Sequence, residues 1–192
     1  MDNTSYTAFK AQRLLAHGGL EAVLKALKAD MDSSGGHGVL VFDDSSGRQL
    51  DFDLRGSLDE VLERNIPERK RPGRGRPSLG VTSAEVSLLP RHWDWLARQP
   101  NSASAALRRL VDQAIKAEPA EAAARGMVEA ADRELWVLAG NQAGCEEASR
   151  ALYAGQFDRF RQQAAGWPPD VAAHLIALAR RAEDALQGGS AR

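Results

Sequence analysis

The sequence predicts an α+β protein that is mostly helical. A small mixed module comes first, a strand-helix-helix segment sits in the middle, and an all-helical part follows. Three observations predict this. β-Branched runs and polar/apolar alternation are concentrated in the first third of the chain. Later apolar residues recur at three- and four-residue steps, the period of a helix face. The chain is rich in alanine and only 6% aromatic, which favours helix.

Each element has a local reason. Residues 5–16 (SYTAFKAQRLLA) predict one or two short strands, the second around Arg13–Ala16, and Gly18-Gly19 breaks the pattern. From Leu20 on, Val23, Leu24, Leu27 and Met31 mark one face of an amphipathic helix. After a turn at Ser33–Gly38, Val39–Phe42 and Gln49–Leu54 read as a hairpin around Asp43–Gly47. Ser57-Leu58-Asp59-Glu60 is a capping box that starts a short helix to about Asn65, which Pro67 ends. After Pro119, residues 120–139 predict a helix and Gly140–Gly144 a turn. Two short helices follow over Glu146–Tyr153 and Phe157–Ala165. A last amphipathic helix starts at Pro169 or Asp170, with Val171, His174, Leu175, Leu178 and Leu186 on its buried face.

The segments are therefore a small α+β module (1–66), a basic flexible arm (67–80), a strand-helix-helix segment (81–117), a helical module (118–187) and a disordered tail (188–192). Charge follows the same division. Residues 67–118 carry 10 Lys+Arg against 5 Asp+Glu, a net of +5 inside a chain whose total is −1. A local basic block in an otherwise acidic chain is an electrostatic footprint for a polyanion. Pro67–Gly80 has three prolines, three glycines and almost no apolar side chain, so it cannot bury enough surface to offset chain entropy.

Within the arm, Arg74-Gly75-Arg76-Pro77, preceded by Arg69-Lys70-Arg71, resembles an AT-hook. Gly75 lets the backbone lie in a narrow A·T minor groove, where Arg74 and Arg76 meet enhanced negative potential. Pro77 keeps Arg76 extended. Loose phosphate binding and an inert linker are the other readings of this stretch.

Ala84–Lys116 resembles a ribbon-helix-helix domain. A short run ends in Pro90, a helix passes through Trp93 and Leu96, Pro100-Asn101 makes a turn, and a second helix opens at Ser102. The pattern Ser102-Ala103-Ser104, followed by Leu107-Arg108, is the closest part of the likeness. The resemblance implies a homodimer whose paired strands enter the DNA major groove. Ser102 is an N-cap whose free amides suit a phosphate, and Leu107, Leu110, Val111 and Ala114 face the dimer core. Ser87, Arg91, Ser104 and Arg108 are the other candidate DNA contacts, with His92 near the helix start. The strand has two registers. Counting from Pro90 turns Leu89, Ser87 and Glu85 inward, whereas hydrophobic alternation buries Val86 and Leu88 and turns Ser87 out. A bulge near Leu89 would reconcile them. Trp93 is expected in the core with Leu96, and Trp95 against a flanking module or stacked on an exposed surface.

Catalytic and metal signals are weak in one dimension. His17, His37, His92 and His174 are scattered without metal-ligand spacing; Asp43-Asp44 and Asp51/Asp53 suggest a cation site, but turn chemistry and the solvent face of a hairpin explain them better. Glu146 and Glu147 beside Cys145 disfavour a reactive thiolate. There is no phosphate-cradling glycine loop. The expectation is a non-enzyme without cofactor. The N-terminus lacks a basic stretch followed by an apolar run, and one cysteine suits a reducing compartment, so a cytoplasmic protein off the membrane is expected.

Taken together, GRPSLGV (75–81), EVSLLPRHWDWL (85–96), ASAALRRLVDQA (103–114), EEASRALYAGQFDRF (146–160) and GWPPDV (166–171) resemble a bacterial family known as domain of unknown function 2239. That resemblance implies a bacterial protein and assigns no catalytic residue. The function expected is that of a dimeric transcriptional regulator or nucleoid-associated factor, binding DNA without sequence preference or with a preference for A·T. The alternative is a non-catalytic adaptor whose arm is only a linker.

Overall fold

The computed structural model describes residues 4–66, 85–116 and 120–189. Contacts divide the chain into two compact units: Met1–Arg71 together with Ala120–Arg192, and Pro72–Pro119. The expected arm, with Arg69, Lys70, Arg71, Arg74, Gly75, Arg76 and Pro77, lies outside the described residues, as do residues 190–192 of the tail.

In the larger unit, β1 (Tyr6–Lys10) and β2 (Arg13–Gly18) form a hairpin, and α1 (Leu20–Ser34) follows. Then come β3 (Val39–Asp43), β4 (Arg48–Leu50) and α2 (Leu58–Asn65). The four strands make one antiparallel sheet in the order β2-β1-β3-β4. β4 stops at Leu50, short of the alternation expected to Leu54. The turn of the first hairpin is Ala11-Gln12, both with positive φ (47° and 68°). α1 ends where Gly35 adopts φ 78° and its N–H bonds the Met31 carbonyl, a conformation a side chain disfavours. The capping box of α2 is present: the Ser57 hydroxyl accepts from the Glu60 N–H, and the Glu60 side chain accepts from the Ser57 N–H. Ile66 is extended, as a residue before proline must be.

The C-terminal helices are α5 (Ala120–Ala139), α6 (Cys145–Tyr153), α7 (Phe157–Ala164) and α8 (Pro169–Gly189), once α3 (Pro90–Ala97) and α4 (Ala103–Lys116) of the central unit are counted. α8 runs through Gly188 and Gly189, past the point where the sequence reading places a disordered tail.

Strand alternation assigns the two faces of the sheet. Ala8 and Val41 are paired in register and pack with Val23, Leu24 and Leu27 of α1 and Val61 and Leu62 of α2. Phe9 and Phe42 point the other way, into a core with Leu135 and Leu138 of α5, Leu152 of α6, Phe160 of α7 and Leu175 and Leu178 of α8. The segments before residue 66 and after residue 120 thus share one core. Polar links add to it: the Leu14 N–H donates to Asp170 at 2.8 Å, and Arg133 donates to the Ser46 carbonyl at 2.7 Å. Among the described residues, no helix is long and apolar enough to cross a membrane.

The central unit contains α3 and α4. Pro90 stands at the first helical position, where its missing N–H costs nothing. Leu96 and Ala106 are its buried apolar residues among those described.

Candidate functional site

The chemistry-bearing residues fall into two groups, one in each unit. In the central unit, the Ser102 hydroxyl accepts from the Ala105 N–H at 3.3 Å, so it caps α4 as its sequence position predicts. Ser104 and Arg108, four residues apart on α4, lie on one side of the helix, and both are exposed. Arg91 is exposed in the first turn of α3 and donates from Nε to His92 Nε2 at 3.4 Å. Ser87 is exposed in the segment Glu85–Leu89, which forms no strand within the single chain.

The apolar side chains of this unit are open. Trp93, expected beside Leu96 in a core, is 48% exposed, a correction to the sequence reading with a simple cause: a single copy of two short helices offers nothing to cover it. Val111 and Ile115 are 55% and 64% exposed, and Leu110, Leu89 and Val86 are open as well. Among the described residues, seven of the twelve exposed large hydrophobic side chains lie between Val86 and Ile115, so the open apolar surface is concentrated here.

The second group lies in the larger unit and is assembled from five separate elements. Thr7 and His17 are paired across β1 and β2, on the face that carries Phe9. Asp44 follows β3, fixed by its own N–H on the Ser5 carbonyl at 3.0 Å. The turn after it is tied to α5, because Gly47 has φ 65° and an added Cβ there would stand 2.2 Å from the Ala130 carbonyl oxygen. Glu134 comes from the middle of α5 and His174 from α8. His174 Nε2 lies 2.6 Å from Glu134 Oε2, and its ring meets that of Phe9 edge-on at 5.3 Å. His17 Nδ1 lies 2.9 Å from Thr7 Oγ1 and 3.4 Å from Asp44 Oδ2.

The carboxylates of this cluster are buried, whereas His17 is exposed. Glu134 is fully buried and Asp44 nearly so. Burial pushes the Glu134 carboxyl above its ordinary range, the hydrogen bond and charge of His174 oppose that, and Asp44 and Asp43 add to the rise. Asp44 Oδ1 and Glu134 Oε1 have no hydrogen-bond partner among the described residues. A cleft of about 560 Å³ opens onto the group, lined by His17, Asp44, His174 and Arg181.

Sequence reasoning missed this cluster because its members are scattered along the chain from Thr7 to His174. In the sequence alone Asp44 reads as turn chemistry. The one available signal was a glutamate inside the apolar stripe of α5, where Ala131, Leu135 and Leu138 are buried. A carboxylate there must be paired or bound.

A model of the family described as "Uncharacterized protein conserved in bacteria (DUF2239)" matches residues 5–179. The chain belongs to the DUF2239 family. The match takes in β1 through most of α8, and therefore both groups of residues, within one DUF2239 region. Comparison of this DUF2239 chain with curated proteins and with solved structures returns no match.

Proposed function

We propose that this is a DNA-binding protein, a transcriptional regulator or nucleoid-associated factor of the bacterial cytoplasm, that acts as a homodimer through its central unit. The observation that carries the reading is the open apolar surface of α3 and α4 beside a capped helix N-terminus. Each large aliphatic or aromatic side chain taken from water contributes roughly 1.5–3 kcal/mol. With only Leu96 and Ala106 buried among the described residues of this unit, a second copy supplies the core it lacks. In that dimer Glu85–Leu89 finds its strand partner in the same segment of the other chain, as in a ribbon-helix-helix protein.

Charge supports a nucleic-acid partner. The net +5 of residues 67–118 includes Arg69, Lys70, Arg71, Arg74 and Arg76, which supply phosphate and minor-groove contacts. Ser87, Arg91, Ser102, Ser104 and Arg108 are the nearest candidates in the helical part. Base selection is weak in this reading, because Glu85 is repelled by phosphates while the arm follows groove shape.

Fluorescence anisotropy with A·T-rich and G·C-rich duplexes at two salt concentrations tests it. Affinity should fall steeply with salt, and Arg74→Ala with Arg76→Ala should weaken binding and flatten the log–log slope by about two phosphates' worth. An unchanged slope removes the arm from the interface. A monomer at micromolar concentration removes the dimer, and a salt-insensitive protein partner would favour the adaptor.

A further inference from the structure

We infer that Asp44, Glu134 and His174 form a binding site for a divalent metal ion of the zinc or manganese type, with His17 on its open side. One ligand atom from each of the three lies within 4.8 Å of the others. Side chains bonded to a common ion at about 2.0–2.2 Å stand closer than this, so small torsional shifts would close the set.

The buried carboxylates are the reason to look for a cation. Glu134 is inaccessible and the Asp44 side chain 1% exposed, yet Asp44 Oδ1 and Glu134 Oε1 are unpartnered among the described residues. Neither has a lysine or arginine ion-pair partner among those residues; His17 and His174 are the groups that reach them. Arg181, which lines the cleft, donates to the Asp44 backbone carbonyl at 3.4 Å. A structural Glu134–His174 pair accounts for Oε2 of Glu134 and leaves the two unpartnered oxygens unexplained. A dication held by the two carboxylates gives these buried groups the cationic partner they lack among the described residues.

The donor set narrows the ion. Two carboxylates with one or two imidazoles suit zinc, manganese or ferrous iron, whereas calcium and magnesium prefer shells of oxygen alone. Phe9 against the His174 ring and Thr7 on His17 Nδ1 are the supporting contacts that hold ligand orientation. The cleft gives the ion an entry path and leaves room for water or a small anion on the exposed side. His17, Asp44, Glu134 and His174 all belong to the larger unit, so the site is independent of the DNA reading.

The test uses the full chain, stripped with a chelator and titrated with Zn²⁺ and, separately, Mn²⁺ and Mg²⁺ by calorimetry. The expected result is one Zn²⁺ or Mn²⁺ per chain and much weaker binding of Mg²⁺. Asp44→Asn, nearly isosteric, should weaken binding at least about 100-fold, and His17→Ala about tenfold. Far-ultraviolet circular dichroism shows whether Asp44→Asn keeps its fold; His174→Gln carries the same expectation if it does not. Cobalt(II) adds a visible absorption band that should disappear in the same variants. The inference is overturned if the wild type binds no ion stoichiometrically. It is equally overturned if Asp44→Asn and His174→Gln bind as the wild type does, or if His92→Ala, on α3 of the central unit, abolishes binding.

Discussion

Cys145 shows how an element's first residue can be chemically silenced by its setting. It opens α6, a position where a helix N-terminus ordinarily favours a thiolate. Here burial comes first in raising the thiol, and the charges of Asp132, Glu146 and Glu147 add to it. The sequence neighbours Glu146 and Glu147 already pointed that way; Asp132, contributed by α5, became visible only in the fold. Folded protein should therefore leave a thiol reagent unreacted at neutral pH, with labelling appearing as denaturant unfolds it. The linkage sign follows from the raised value. The folded state keeps this proton to higher pH than the unfolded chain, so the associated stability is present below the ordinary value of 9.0 and is lost as pH rises through the folded one. Rapid labelling of native protein at neutral pH would contradict the burial and the carboxylate field together.

Elements whose signals are local were legible. The Ser57 capping box, the Pro90 start of α3, the Ser102 cap of α4 and the periodic face of α1 each depend on residues within one or two turns, and each is present in the structure. The sheet was less legible, since its order depends on pairing between β1 and β3, about 30 residues apart, which no local pattern encodes. The β1–β2 turn shows the same limit at close range. It uses Ala11-Gln12 in the left-handed region, where Asn-Gly is the usual signal, so the sequence announces no tight hairpin there. That choice leaves strain that glycine would relieve. Gln12→Gly should raise stability by about 1 kcal/mol, the typical cost of a left-handed residue with a Cβ. A urea melt with a higher midpoint and an unchanged slope is the expected outcome, and a lower midpoint would show that the Gln12 side chain contributes more than its backbone costs.

On the scale of the whole molecule the two units have different sources of stability. The larger one carries Phe9, Phe42, Leu135, Leu152, Phe160 and Leu175 in a closed core, drawn from both ends of the sequence. Treating the chain as consecutive modules hid this, because a composition shift marks where a segment changes character and says nothing about which distant segment covers it. It also hid the Asp44, Glu134 and His174 cluster, whose members come from the β3 end, α5 and α8. The central unit has Leu96 and Ala106 buried among its described residues, while Val111 and Ile115 lie open. If a second copy covers that surface, its stability depends on protein concentration by mass action, whereas that of the larger unit does not. Thermal unfolding at two concentrations at least tenfold apart should therefore show one transition that rises with concentration and one that stays fixed. Ile115→Glu, which places a charge where the partner helix would pack, should lower the first and leave the second unmoved. Two concentration-independent transitions would mean that the open face of α4 is not a surface for self-association, and sedimentation of the same samples would then find monomers.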